Sequence, residues 1–491
     1  PITKDNTSVE YYATIFAADE SPLKEGLIWV GSDDGRLHIT QDGGKVWTEV
    51  NDSKIMPKYL MINSVEPSSF DPAVCYVAGT SYKEGDYSPY LFKTKDYGKT
   101  WKKIVSGIPG EHFTRVVRED PYKKGVLYAG TETGMYFSTD DGESWKSLQL
   151  NLPIVPITDL KIKEGGLIVA TQGRGIWILD DLKVLHQIVD MPKEKAVRLF
   201  TPKDVYRMPG SSSPNAAKNG QGTNHAAGLV LHYILPTYDD KKDTISITIM
   251  GNAGDTIISY SNKSKEKSTT LKPKKGANTF NWNMRYPDAK SFDGMILWWS
   301  DLSGPLAVPG EYKASLKVNN NTLSTPFKIL KSPASEGDEA SMGAQFKFVK
   351  SIDDKINEAH QAIIDIRSLQ KSIKLYEKEL KVDSLKIWSD SIGNMASIIE
   401  KELYQTQNKS NQDPLNYPIK LTNKLAHLNA LSQMGTQDFG PTTSMVAVRD
   451  QLVAAIDKQL TDWRAIHSSL IPMLNDLMRK SKIDYIQIGK N

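Results

Sequence analysis

Three hydrophobic rhythms follow one another along the chain. Over the first region, short apolar segments close on a glycine and a polar turn, as in Trp29-Val-Gly-Ser-Asp-Asp-Gly35, Tyr76-Val-Ala-Gly-Thr80 and Tyr128-Ala-Gly-Thr-Glu-Thr-Gly134. Runs this short, bounded by turn residues, predict antiparallel strands. A short apolar segment, Leu185–Val189, and a flexible loop by composition, Ser211–Asn224, come next. Alternating or β-branched runs then recur at Leu229–Ile234, Ile245–Ile249, Thr256–Tyr260, Thr279–Trp282, Met295–Trp299, Glu311–Val318 and Thr325–Ile329. These predict a β-sandwich in which Trp298 and Trp299 face opposite sides of a strand, one of them in the core. From Ser341 the period lengthens. Phe346, Val349, Ile352, Ile356, Ala359, Ile363, Ile366, Leu369, Ile373, Tyr376 and Leu380 form the seam of one long helix. Met445, Val448, Leu452, Ile456, Leu460, Trp463, Ile466, Leu470, Leu474 and Leu477 form that of an antiparallel partner, kinked at Pro472. Shorter helices near Leu385–Tyr404 and Ile419–Leu431 complete a helical bundle, with the charge-rich Lys347–Lys381 stretch as a solvated face. The expected order is mainly β and then α, in domains 1–190, 191–335 and 336–491.

Within the first region one box occurs three times: Thr40-Gln-Asp42-Gly-Gly44-Lys-Val46-Trp47, Thr94-Lys-Asp96-Tyr-Gly98-Lys-Thr100-Trp101 and Ser138-Thr-Asp140-Asp-Gly142-Glu-Ser144-Trp145. Asp42 to Asp96 is 54 residues and Asp96 to Asp140 is 44, the difference being the polar insertion Ser81–Pro89. Periods in this range indicate four-stranded propeller blades. The chemistry of the box is that of a hairpin turn. Its Asp accepts from backbone N–H groups, its Gly supplies a positive φ, and its Ser or Thr ties the incoming strand. Its Trp is expected to fill the gap between blades. A fourth unit, Ile157–Ile162, Leu167–Thr171 and Ile176–Leu179, has strands without a box and reads as a closing blade.

This box resembles the Asp-box, or BNR repeat, of sialidases, reducing-end xyloglucan hydrolases and sortilin-like propellers. The stretch from Tyr11 to Asp181, including Phe113-Thr-Arg-Val-Val-Arg-Glu-Asp-Pro121 and Ala170–Asp181, is similar to the C-terminal blades of bacterial sortilin-like proteins often labelled glycosyl hydrolases. Gly304–Tyr312 resembles the entry to a late strand in bacterial Ig-like domains, which makes the expected sandwich Ig-like. The resemblance implies a structural box on the outer rim and an incomplete ring, partnered by N-terminal blades of the same gene product. It also implies a secreted, periplasmic or cell-surface bacterial protein. The opening Pro-Ile-Thr-Lys-Asp is expected not to be a translation start, and Pro1–Val9 is too short and polar for a blade.

Composition narrows the chemistry. Against 61 Lys plus Arg stand 58 Asp plus Glu in 491 residues, a formal charge of +3 that gives no footprint for nucleic acid. No apolar run is long enough for a transmembrane segment. The single Cys75 excludes an intrachain disulfide and a Cys-based zinc site. Metalloprotease, serine-hydrolase, P-loop, dinucleotide and EF-hand signatures are missing, so no metal and no cofactor is expected and the catalytic residues are unassigned. His38, His112, His232, His360, His427 and His467 lie singly, and Asp33-Asp34-Gly35 and Asp140-Asp141-Gly142 read as turns.

In a propeller, ligands bind where the innermost strands begin. By this register the starts lie near Tyr12, Asn63, Arg115 and Asp159, with Arg174 and Trp177 in the last unit. Asn63, Arg115, Asp159 and Arg174 are the channel candidates. A competing reading makes Arg115, Arg118, Glu119 and Asp159 ion pairs between blades. Two functions remain: an exported binding or scaffold protein that grips a peptide or an envelope partner, which is favoured, and a glycoside hydrolase. The latter needs two carboxylates roughly 5–9.5 Å apart. Asp159 is the sole acid expected at a channel-facing strand start, so the second would come from further blades.

Overall fold

A computed structural model describes residues 12–191, 195–208, 226–376, 383–435, 437–481 and 486. Pro1–Val9, Ser211–Asn224 and Leu380 lie outside the described residues. The chain divides into two compact units, Pro1–Glu194 and Lys195–Asn491.

The first unit is a succession of small antiparallel sheets, each meandering in chain order. β1 (Ile15–Glu20), β2 (Ile28–Ser32), β3 (Leu37–Thr40) and β4 (Thr48–Glu49) make the first. β5 (Met61–Pro67), β6 (Cys75–Ser81), β7 (Asp86–Thr94) and β8 (Lys102–Lys103) make the second. β9 (Thr114–Glu119), β10 (Leu127–Thr131), β11 (Gly134–Ser138) and β12 (Lys146–Ser147) make the third. The fourth has three strands, β13 (Ile157–Lys163), β14 (Gly166–Thr171) and β15 (Ile176–Leu179), and helix α1 (Leu182–Val189) follows.

Strand alternation explains why the sheets stack as blades. β6 and β10 are buried on both faces. From β6, Cys75 and Val77 join Trp29, Leu37 and Ile39 of the first sheet, whereas Tyr76 and Ala78 join Val117, Leu127 and Ala129 of the third. β10 repeats the division, with Tyr128 turned to Ile157, Leu160 and Leu167 of the fourth. Each interface thus takes every second residue of a central strand. The first strands lie side by side, β1 against β5, β5 against β9 and β9 against β13, and so form one inner edge. The outermost faces are not covered in this way: Ile15 and Phe16 on β1 are exposed, and Ile176 and Ile178 on β15 are 73% and 59% exposed.

In the second unit, β16 (Arg198–Leu199), β18 (Leu229–Leu235) and β21 (Gly276–Trp282) form one sheet. β17 (Val205–Arg207), β23 (Asn321–Lys331), β22 (Gly310–Val318), β19 (Ile245–Met250) and β20 (Thr256–Ser261) form the other, with β17 parallel to β23. Leu229, Leu231, Tyr233 and Leu235 alternate inward and share a core with Ile247, Trp282 and Phe327. The segment Met295–Trp299, expected as a strand, is irregular. Its backbone is met by side chains of the helical region: the Tyr404 hydroxyl accepts from the Ile296 N–H at 2.8 Å, Asn423 Oδ1 accepts from the Trp298 N–H at 2.8 Å, and Asn423 Nδ2 donates to the Trp298 carbonyl at 2.8 Å. Trp299, at φ 45°, is 74% exposed, and Trp298 is half-buried, so neither is core.

The helices are α2 (Glu339–Tyr376), α3 (Asp383–Leu403), α4 (Leu421–Ser432), α5 (Thr443–Ala465) and α6 (Ile471–Lys480). Val349, Ile352, Ile356, Ala359, Ile363, Ile366 and Leu369 bury the α2 seam, although Val448 and Leu477 of the partner seam are exposed. Pro472 falls in the first turn of α6 behind a π turn, Ile466–Leu470, which absorbs its missing N–H. Sheets and helices of this unit meet at Arg207, whose buried guanidinium pairs with Asp438 at 2.6 Å and donates to the carbonyls of Ala307 and Gln437. Among the described residues no helix is long and apolar enough to cross a membrane.

Candidate functional site

The boxes are closed on themselves. Thr94 Oγ1 donates to Asp96 Oδ1 at 2.8 Å and accepts from the Gly98 N–H at 2.9 Å. Thr100 donates to the same carboxylate through its N–H (2.8 Å) and its hydroxyl (2.6 Å). Ser138, Asp140, Gly142 and Ser144 repeat the arrangement. In the first box Thr40 donates to Asp42, which also accepts the Val46 N–H at 3.0 Å. Although burial acts in the opposite direction, hydrogen bonds from Thr100 and Thr94 hold Asp96 below the usual carboxylate range.

Two further box residues belong to the interface with the preceding blade. Trp101 Nε1 donates to the Val50 carbonyl at 2.8 Å, and Trp145 Nε1 to the Ile104 carbonyl at 2.7 Å. A Cβ on Gly98 would come within 2.8 Å of Val50, and one on Gly142 within 2.6 Å of Ile104. In the first box the same positions face open space: Trp47 is 43% exposed, and a Cβ on Gly44 would meet only Trp47 itself, at 3.7 Å.

The inner edge has a repeated irregularity. Pairing of each first strand with its second skips one residue: Phe16 between Ile15 and Ala17, Asn63 between Ile62 and Ser64, Arg115 between Thr114 and Val116, and Thr158 between Ile157 and Asp159. A bulged residue leaves the ladder and its side chain is re-aimed. Asn63 and Arg115 are therefore equivalent positions. Asp159 lies one residue beyond its equivalent, Thr158, and Phe16 holds the position for which Tyr12 was expected. Composition cannot signal a bulge, because the extra residue needs no glycine or proline. Arg174 sits on the turn beside the start of β13, where Thr171 pairs with Ile157 and the Gln172 N–H donates to the Pro156 carbonyl at 2.9 Å.

Charges along this edge are already engaged. Arg115 pairs with Glu132 of its own blade at 2.6 Å and lies 5.4 Å from the Phe113 ring. Asn63 Oδ1 accepts from the Thr80 hydroxyl at 3.1 Å. Arg118 straps three blades together, donating to Ser64 Oγ (2.7 Å), the Leu160 carbonyl (2.9 Å) and Asp159 (2.8 Å), with Glu66 at 3.3 Å. Burial pushes Glu66 up to about 7 despite Arg118. Glu119 accepts from Ser68 and the Ser69 N–H of the second blade, at 2.7 and 2.8 Å. Arg118 and Glu119 thus connect blades, whereas Arg115 does not.

Beside Asn63, a shallow cleft opens to solvent, lined by Tyr12, Asp33, Tyr59, Ser81, Tyr82 and Glu84 among others. The Ser81–Pro89 insertion contributes one wall, and Tyr82 is stacked on Phe113 with ring centroids 5.6 Å apart. Burial and then the charges of Asp34 and Asp33 raise the Tyr12 hydroxyl pKa. Among the described residues no cluster of His, Cys, Asp or Glu is suited to a metal ion.

No family model matches the chain. Over 109 residues, 22% of its length, it is 26% identical to an oligoxyloglucan-reducing end-specific xyloglucanase of Emericella nidulans, and it spans 13% of that protein. A solved structure titled YCF48 bound to D1 peptide is similar at 20% identity, covering 34% of this chain and 52% of that one, with a TM-score of 0.28. The GH74 xyloglucanase from Xanthomonas campestris is similar at 13% identity, covering 69% and 48%, with a TM-score of 0.28.

Proposed function

We propose that the first unit is a section of an Asp-box propeller whose inner edge binds an extended peptide or protein segment, as part of an exported binding or scaffold protein of the bacterial envelope. The observation that carries this reading is the bulge shared by all four first strands, which lifts Phe16, Asn63, Arg115 and Thr158 out of their ladders along one edge. Most acids near that edge are committed to Arg115 or Arg118, an arrangement suited to holding a ligand rather than cleaving one. Fluorescence anisotropy with labelled extended peptides tests it. Asn63→Ala combined with Thr158→Ala weakens binding without lowering the melting temperature. Asp96→Ala lowers the melting temperature and leaves affinity unchanged at temperatures where the protein is folded.

Trp47 supports the completion of the ring by further blades of the same gene product. At the first two internal interfaces the equivalent indole is capped by a carbonyl of the blade before it, and Trp47 awaits the same cap. The two-sheet domain of the second unit is read as Ig-like, and with the helices as a docking module.

Glycoside hydrolysis is the second reading, favoured by the presence of Asp33 and Glu84 in one cleft. Release of reducing sugar from xyloglucan, lost in both Asp33→Asn and Glu84→Gln, would establish it.

A further inference from the structure

The cleft beside Asn63 has a composition of its own. Among the described residues, Tyr12, Tyr59 and Tyr82 wall it, and the carboxylates Asp33 and Glu84 line it together with Lys83. Asp33 uses one oxygen to accept the Thr14 N–H at 2.8 Å. Glu84 accepts no hydrogen bond from the described residues. Ser81 is only 4% exposed yet lines the same space, and its hydroxyl likewise has no hydrogen-bond partner among the described residues. That hydroxyl is not sealed from solvent but opens onto the cleft, where water or a ligand group supplies the bond. Tyrosine faces attract cations through their quadrupoles, carboxylates add charge, and a lone hydroxyl adds a fixed acceptor. Tyr82 is held in place by its stacking on Phe113, so that wall is formed before any ligand arrives.

We propose that this cleft receives a cationic side chain, the guanidinium or ammonium of an extended peptide lying along the inner edge. The proposal rests on the peptide-binding reading above and adds a specificity to it. Asn63, at the bulge of β5, adjoins the cleft through Thr80, which also lines it. A peptide following the bulged residues would therefore pass the mouth of the cleft and could insert one side chain into it.

The test is a set of labelled extended peptides, identical except for a central Arg, Lys, Ala or Glu, titrated against the full chain at low and high salt. The expected result is that the Arg or Lys peptide binds about tenfold more tightly than the Ala peptide, an advantage that shrinks with salt. Glu84→Gln and Asp33→Asn should remove that advantage while leaving the Ala peptide's affinity as it was. Preference for Arg over Lys assigns the cleft to a guanidinium, and the reverse assigns it to an ammonium. Equal affinities for all four peptides would overturn the cation site and leave the inner-edge reading standing. Binding of xyloglucan oligosaccharides, abolished by Tyr82→Ala, with no binding of any peptide, would overturn both. Circular dichroism melts of each variant separate lost binding from lost folding.

Discussion

Two tryptophans at the same place in the repeat make the energetic argument at the scale of single residues. Trp101 is buried between blades with its indole N–H bonded, whereas Trp47 is half in solvent. Trp101→Ala should cost about 3–5 kcal/mol in urea unfolding, and Trp47→Ala distinctly less. A comparable loss from both would mean that Trp47 is already covered in the native protein. The tryptophans and their boxes are legible in the sequence because turn chemistry repeats. Asp353 is not: it sits beside Ile352 in the α2 seam, buried, with one carboxylate oxygen lacking a partner. Burial pushes its pKa up to about 8, above the ordinary value near 4 of an unfolded aspartate. The native state therefore holds a proton that the unfolded state releases. The stability this contributes is complete below about pH 4 and is lost as pH rises towards 8. Asp353→Asn should accordingly gain stability relative to the parent as pH is raised across that window, measured by urea midpoints. A constant difference between the two proteins would remove the buried acid from the account.

At the scale of elements, period and punctuation were sufficient for the blade strands and the long helices. Bulges escaped because they alter pairing without altering composition. Met295–Trp299 departs from the expected strand for a related reason: the run has the residues of a strand, but its hydrogen-bond partners are Tyr404 and Asn423 rather than a neighbouring strand. The inter-blade strap Arg118 could be suspected from charge, but its targets Ser64 and the Leu160 carbonyl could not. Arg118→Ala leaves Glu66 and Asp159 without their cation and uncouples three blades. A loss of about 2–4 kcal/mol is expected, with the unit Pro1–Glu194 melting before the rest. Arg118→Ala protein with unchanged unfolding would show that the blades are held by their apolar faces alone.

At the scale of the whole molecule, the stacking that buries both faces of β6 and β10 leaves Ile15, Phe16, Ile176 and Ile178 uncovered within the first unit. Stacked repeats need neighbours or caps for such faces. Residues 1–190 produced alone should therefore self-associate in sedimentation and melt without a sharp transition. A monomeric, cooperatively melting fragment would show that four blades suffice. The central claim concerns which edge of these blades meets a ligand, and hydrogen–deuterium exchange of the full chain, with and without a bound extended peptide, addresses it directly. The account predicts protection concentrated at the starts of β5, β9 and β13, around Asn63, Arg115 and Thr158, with the box turns at Asp42, Asp96 and Asp140 unchanged. Protection confined to the box turns, or to Lys195–Asn491, would contradict it.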